Sequence, residues 1–151
     1  WNHGDFVKIT NNGGFVIFGR SDTTLNPGGV RLGTAEIYSV VEKFKEIQES
    51  IVIGQSWNND IRIILFVVLN NECMLTAKLV DKIKNAIRFN ASPRHIPSKI
   101  ISISDIPKTK NGKLVELAVK QTIEGEEIKN LEALANPESL EQFKNIKELN
   151  E

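Results

Sequence analysis

The sequence has one cysteine, two histidines and no long apolar run. One cysteine excludes an intrachain disulfide, so a reducing compartment, the cytoplasm, is the simpler expectation. These few residues cannot supply the usual ligands of a zinc site, and we expect no metal ion bound to them. A bilayer span needs about 20 consecutive apolar residues, and neither such a run nor a signal-peptide pattern is present. The first residue is tryptophan, which predicts a piece of a longer protein or a processed chain.

The sequence also lacks net charge, with 19 basic and 19 acidic residues. Proteins dedicated to nucleic acids usually have a basic domain with interleaved aromatic residues, and without either we expect no nucleic-acid partner. The balance hides a division, because residues 78–120 contain ten Lys/Arg and three Asp/Glu, whereas residues 124–151 contain eight glutamates and three lysines. The basic segment suits a phosphate-bearing small ligand. A solvated helix face with loop lysines explains it equally well.

Short β-rich runs alternate with helical patterns, which predicts an α+β fold. Two β-hairpins are predicted near the N-terminus, around residues 11–14 and around the Pro-Gly-Gly sequence at 27–29. Segments rich in β-branched residues predict a central, mostly antiparallel three-stranded sheet. These segments are 51–53, 61–69 and 100–103. Apolar residues at helical spacing predict helices that flank the sheet. Thr34 and Thr76 are predicted to be the N-caps of the first two helices, and a third helix follows Lys113. Asn136 and Pro137 are predicted to be the N-cap and first residue of a fourth.

Two glycine-containing loops could carry chemistry. Residues 107–113 end in a Gly-Lys pair, but Pro107 and Leu114 stand where a Walker A phosphate loop needs glycine and a hydroxyl residue, so that motif is excluded. What remains is a basic tip with Lys113, whose ammonium can bridge phosphate and carboxylate oxygens. The glycine pair at 28–29 lacks Cβ atoms and allows a ligand to approach closely. An ordinary exposed turn explains each loop on spacing alone.

Four segments together resemble the C-terminal part of the AMP-forming acyl-CoA synthetases in their order and spacing. These segments are Gly-Asp at 4–5, Gly-Arg-Ser-Asp at 19–22, Gly-Gly-Val-Arg-Leu-Gly-Thr-Ala-Glu-Ile at 28–37 and Pro-Lys-Thr-Lys-Asn-Gly-Lys at 107–113. Other stretches resemble the branch of that family that activates acetoacetate. They are residues 1–6, 25–31, 90–97 and 134–138. The resemblance covers nearly the whole chain.

The resemblance implies a small lid domain over residues 22–123 that closes on a larger N-terminal adenylation domain. Residues 1–21 would be the trailing hairpin of that domain plus the hinge, and residues 124–151 an acidic helical extension. The substrates it implies are acetoacetate, ATP and coenzyme A, with Mg²⁺ bound mainly by the larger domain. The acid would first be joined to AMP with release of pyrophosphate, and the thiol would then displace AMP. The isolated chain is expected to be inactive.

The resemblance also assigns roles to single residues. Lys113 would be catalytic, because its charge would offset the charge that develops around the α-phosphate during adenylation. Asp22 would be the hinge. The remaining residues would bind ligands: Asp5, Arg20 and Arg31 for ATP or AMP, and Gly28, Gly29, Arg88 and Arg94 for coenzyme A.

Two other functions remain open on the sequence. The chain could be the lid of a synthetase for another short acid, such as acetate or propionate. It could also be a stand-alone module that binds coenzyme A or another polyphosphate. The acyl pocket would lie in the larger domain, so the choice of acid depends on the resemblance.

Overall fold

The structure is a computed structural model that describes residues 5–10, 12–20, 24–128 and 130–151, with the backbone alone over 5–8 and 16–20. Near the N-terminus, β1 (Asp5–Ile9) and β2 (Phe15–Arg20) form an antiparallel hairpin. The turn between them contains Gly13, whose φ is 77°. The first predicted hairpin is therefore confirmed.

A three-stranded sheet forms the centre of the fold, with strands β3 (Ile47–Trp57), β4 (Asp60–Leu69) and β5 (Lys99–Ser102) in that order. β3 and β4 are antiparallel along nearly their whole length. Asn58 and Asn59 join them with φ values of 49° and 61°, which is typical of the asparagine-rich two-residue hairpin turn. β5 is parallel to β4 over four residue pairs, so the sheet is mixed, with its longer pairing antiparallel as predicted.

Three α-helices flank this sheet: α1 (Ala35–Val41), α2 (Ala77–Asn90) and α3 (Glu116–Glu124). α2 begins as predicted, since Thr76 Oγ1 accepts the N–H of the residue three positions later at 3.2 Å. The prediction for Thr34 is wrong in detail. Its backbone is already helical and its side chain makes no capping bond, because capping requires an extended backbone at that position. No helix within the described ranges is long and apolar enough to cross a membrane.

Each face of the sheet has its own apolar core, because side chains alternate between the faces along a strand. On one face, Leu65 and Val67 of β4 pack with α1 and α2. On the other face, Ile64 and Phe66 pack with α3 and with the C-terminal residues. Burial on both faces explains why β4 reads as one continuous apolar run rather than an alternating one.

The C-terminal segment, residues 130–151, is part of the second core. Its buried apolar side chains are Leu134, Leu140, Phe143 and Leu149. The ring of Phe143 meets that of Phe66 edge to face, with 5.0 Å between centroids, a favourable aromatic geometry.

The C-terminal segment is built from short 3-10 helices rather than an α-helix. They are Leu131–Ala133, Pro137–Phe143 and Lys147–Asn150. Asn145 lies between the last two with a φ of 56°, which interrupts helical continuation. The predicted helix at Asn136 and Pro137 is therefore a 3-10 helix. The Asn136 side chain does not cap it, because that side chain is bonded elsewhere.

Candidate functional site

Lys113 lies in a tight hairpin between β5 and α3. Lys108 and Leu114 pair as an antiparallel bridge, and the Thr109 N–H donates to the Lys113 carbonyl at 2.9 Å. The Gly112 N–H closes the turn on the Thr109 carbonyl at 2.8 Å. The φ of Gly112 is 74°, a conformation that favours glycine. The Lys113 side chain is exposed, so its ammonium is available to a ligand on this face.

The glycine pair lies in a short 3-10 turn, Pro27–Gly29. Leu25 and Leu32 close the base of this turn as an antiparallel bridge, which confirms the second predicted hairpin. Gly28 and Gly29 have φ values of 58° and 76°, so the backbone itself favours glycine at both positions. A Cβ placed on either would meet no atom of the described chain within 4 Å. The turn therefore presents an open backbone surface to solvent.

Asp60 holds this turn against the β3–β4 hairpin. Its Oδ1 accepts the Gly28 N–H at 2.8 Å and the Ile61 N–H at 2.7 Å. These two bonds keep the pKa of Asp60 below its usual range, because they favour the ionised carboxylate. Sequence reasoning missed this residue. The only local signal is a carboxylate at the end of an Asn-Asn turn, and its partner is 32 positions away.

A shallow cavity of about 230 Å³ lies between the entry to the glycine turn and helix α3. Thr24 and Asn26, which lead into the glycine turn, line one side. Glu116 and Lys120, from the helix that follows Lys113, line another. This cleft therefore adjoins the entry to the glycine turn and helix α3, whereas Lys108 and Leu114, at the base of the Lys113 hairpin, border a different cavity.

Tyr38 connects three elements behind this cleft. Its hydroxyl donates to Glu116 Oε1 at 3.0 Å and accepts the Val52 N–H, also at 3.0 Å. Burial and the nearby Glu116 carboxylate raise the pKa of Tyr38 well above its usual range. Sequence reasoning missed Tyr38. Its signal is a tyrosine beside the apolar stripe of α1, because a buried tyrosine usually bonds its hydroxyl to a neighbouring group.

Three of the predicted arginines, Arg31, Arg88 and Arg94, are exposed on the surface. Arg31 follows the glycine turn. Arg88 is in the last turn of α2, and Arg94 is in the 3-10 helix Pro93–His95 that packs against α2. The two proposed coenzyme A arginines therefore share one corner of the fold, whereas Arg31 belongs to the loop with the glycines.

A buried polar group lies under that corner. His95 is 8% exposed, and its Nδ1 is 2.8 Å from Ser92 Oγ. Its Nε2 and Glu36 Oε2 are buried without a hydrogen-bond partner in the part of the chain that is described. Burial lowers the pKa of His95, and the Glu36 charge partly opposes this shift. The imidazole is therefore held neutral near pH 7.

The remaining predicted residues lie around the N-terminal hairpin. Asp5 and Arg20 are register partners across β1 and β2, so the backbone brings together two residues assigned to the same nucleotide. The predicted hinge, Asp22, lies outside the described residues.

Residues 36–113 match the protein family described as AMP-binding enzyme C-terminal domain. The chain is 57% identical over 149 residues to the acetoacetyl-coenzyme A synthetase of Rhizobium meliloti (strain 1021), which covers 99% of this chain and 23% of that protein. The structure of acetoacetyl-CoA synthetase from Streptomyces lividans is similar over 100% of this chain and 23% of its own, with a TM-score of 0.87 and 38% identity. The anthranilate CoA ligase AuaEII, in complex with anthranoyl-AMP, is similar over 74% of this chain and 22% of its own, with a TM-score of 0.66 and 26% identity.

These comparisons confirm the resemblance inferred from the glycine and lysine loops, and they confirm the α+β fold. The chain spans less than a quarter of the length of the relatives it matches. The matched family segment covers more than half of the chain and ends at Lys113. The chain belongs to the AMP-binding enzyme C-terminal domain family.

Proposed function

We propose that the chain is the mobile C-terminal lid of an AMP-forming acid–CoA ligase whose acid is acetoacetate. The observation that carries this proposal is the 57% identity to an acetoacetyl-coenzyme A synthetase across 99% of the chain. Residues 22–123 would be the lid, with Asp22 as its hinge, and residues 1–21 would be the end of a larger adenylation domain. The single cysteine, Cys73, is a free thiol, which supports a cytoplasmic location.

The proposed reaction has two steps. The acetoacetate carboxylate attacks the α-phosphate of ATP, and pyrophosphate leaves to give acetoacetyl-AMP. The thiol of coenzyme A then attacks the acyl carbonyl, and AMP leaves with the former carboxylate oxygen. The Mg²⁺ that accompanies ATP would be held mainly by the larger domain, as the resemblance implies.

In the adenylation pose, Lys113 would be the catalytic residue. The exposed tip of its hairpin suits insertion into a site on another domain, where the ammonium would offset charge that develops between carboxylate and α-phosphate. Asp5 and Arg20 would hold the ribose of ATP or AMP, and Arg31 would face the phosphates. The register pairing of Asp5 with Arg20 supports their shared role.

In the thioester pose, the lid would rotate and present its glycine turn. Gly28 and Gly29 would lie alongside the pantetheine arm of coenzyme A, and the open space at both positions supports this role. Arg88 and Arg94 would contact the phosphates of coenzyme A. A single small domain with two ligand-facing loops is well suited to a mechanism in which one loop serves each step.

The test is acetoacetate-dependent exchange between ATP and pyrophosphate by the full-length protein, compared with acetate and propionate. Acetoacetate should give the highest kcat/KM. A preference for acetate or propionate would favour the lid of another short-chain synthetase. Binding of coenzyme A without exchange for any acid would favour a stand-alone binding module.

Lys113→Ala should lower pyrophosphate exchange by about a hundredfold or more, because it removes a charge that acts on the adenylation transition state. Formation of acetoacetyl-CoA from supplied acetoacetyl-AMP should be largely retained. The matched control is Lys110→Ala, which removes another exposed lysine of the same hairpin and should leave both rates close to those of the wild type. An equal loss of both half-reactions in Lys113→Ala would contradict the role assigned to it.

A further inference from the structure

The C-terminal segment pairs with the outer side of the Lys113 hairpin. Thr109 and Leu134 form an antiparallel bridge flanked by two backbone hydrogen bonds. In one, the Lys110 N–H donates to a carbonyl of the segment at 3.2 Å. In the other, the Lys108 carbonyl accepts an N–H of the segment at 2.8 Å. The first arm of the hairpin is therefore a central strand, with Leu114 on one side and the C-terminal segment on the other.

Asn136 fixes the point at which this hairpin leaves the core. Its side-chain oxygen accepts the Lys108 N–H at 2.9 Å, and its amide group donates to the Ile106 carbonyl at 3.0 Å and to Asp105 Oδ2 at 2.6 Å. Pro107 lies between the first two partners and has no N–H to offer. The amide of Asn136 therefore satisfies the backbone on both sides of a buried proline.

The segment that carries Asn136 is itself firmly held. Leu134 and Phe143 are buried in the second core, and the Gln142 side chain accepts the Ser104 N–H at 2.8 Å. Near the chain end, the Arg62 guanidinium donates to the Leu149 carbonyl at 2.6 Å. Asn136 thus connects the hairpin to a packed layer and not to a loose tail.

We propose that Asn136 is a positioning residue for Lys113, so that the C-terminal segment helps to set the rate of adenylation. This inference rests on the proposed function, since it assumes that Lys113 acts in the first half-reaction. A small rotation at the base of a hairpin displaces its tip, and reaction rates depend steeply on the placement of a catalytic group. The Lys108 and Ile106 backbone groups would lose a shared partner without Asn136, which loosens the base.

The first measurement is hydrogen exchange in the full-length protein, read on the peptide that spans residues 106–114. Asn136→Ala should speed exchange of the Lys108 and Lys110 amides by about fivefold, the effect of losing roughly 1 kcal/mol of hydrogen bonding. Exchange in β4 should not change. Asn150→Ala makes the same substitution at an exposed position of the same segment and should leave the hairpin as protected as in the wild type.

The second measurement separates the two half-reactions. Asn136→Ala should lower pyrophosphate exchange by about tenfold while formation of acetoacetyl-CoA from supplied acetoacetyl-AMP continues at the wild-type rate. Unchanged hairpin protection, unchanged pyrophosphate exchange or an equal loss of both half-reactions would each overturn the positioning role. A wild-type protein without acetoacetate-dependent exchange would refute the proposed function instead, and hydrogen exchange would still decide whether Asn136 holds the hairpin.

An added negative charge tests the same contact with little change in side-chain volume. Asn136→Asp keeps an acceptor for the Lys108 N–H but places a second carboxylate against Asp105, and it should impair adenylation more than Asn136→Ala. Adding Asp105→Asn restores a donor between these two positions and should recover part of the rate. The absence of any recovery in the double variant would show that the contact between residues 105 and 136 does not transmit the effect.

Discussion

A single carboxylate oxygen of Asp60 determines where the glycine turn lies. It accepts the N–H groups of Gly28 and Ile61, and an ionised acceptor makes both bonds stronger than neutral ones. The pKa of Asp60 is below its usual range, so the carboxylate stays ionised until the pH falls well into the acid range, and this support is lost only there. The turn that we propose to face coenzyme A therefore depends on a residue at the tip of another hairpin.

Asp60→Ala removes this acceptor and should loosen the glycine turn. In the full-length protein, formation of acetoacetyl-CoA from supplied acetoacetyl-AMP should slow by up to about tenfold, because the turn loses a charge-assisted hydrogen bond that holds it in place. Pyrophosphate exchange should be retained, and Asp60→Asn, which keeps an oxygen acceptor, should lose less. Asn59→Gly changes the β3–β4 turn next to Asp60 while tolerating the positive φ at that position, and it serves as the control. An equal slowing of both half-reactions would contradict this assignment.

Among the elements, β3 is the sheet edge to which helices α1 and α3 are both attached. Tyr38 of α1 accepts the outward Val52 N–H of this edge and donates to Glu116 in the first turn of α3. An unpaired edge amide is a site for unwanted strand pairing, and the phenol occupies it. The same hydroxyl orients the helix that begins three residues after Lys113.

Tyr38→Phe keeps the ring and removes only the hydroxyl. The Val52 N–H and the Glu116 carboxylate then lose a partner in a partly buried position, so the free energy of unfolding should fall by about 1–3 kcal/mol. Urea denaturation measures this change as a lower midpoint at an unchanged slope. Ser39→Ala, which removes the neighbouring exposed hydroxyl bonded within its own helix, should shift the midpoint far less. Equal midpoints for the two variants would exclude a linking role for Tyr38.

The elements differ in how well the sequence predicts them. β3, β4 and α2 are predicted because their patterns are local: an asparagine turn between two apolar runs, and a capping threonine before an apolar stripe. Asn136 shows the limit of such local prediction, because an asparagine directly before a proline predicts a helix N-cap. In the structure its side chain is instead bonded at 105–108, where the buried backbone around Pro107 needs partners. The bonding partners of Asp60 and Tyr38 lie as far as 32 and 78 positions away, so the weak local signal at each residue does not identify them.

At the scale of the whole molecule, the basic segment and the acidic segment that together give zero net charge belong to one folded unit. The acidic C-terminal segment packs on the sheet and borders the basic hairpin, where it forms hydrogen bonds to Lys108 and Lys110. Lys110 and Lys113 remain exposed. The family segment ends at Lys113, yet the hairpin that carries this lysine is bonded to residues beyond it, so the hairpin and the C-terminal segment pack together.

The isolated 151-residue chain should catalyse neither half-reaction. Lys113 and the glycine turn both face solvent, and the cavity of about 230 Å³ beside the glycine turn is lined by neither Lys113 nor the two glycines. Charge stabilisation is weak in water and strong in an enclosed site, so the lid needs a second surface that excludes solvent. The measurement is pyrophosphate exchange and thioester formation by the purified chain, alone and with added adenylation domain. Turnover by the chain alone would contradict this account, whereas recovery on mixing would identify the adenylation domain as the missing surface.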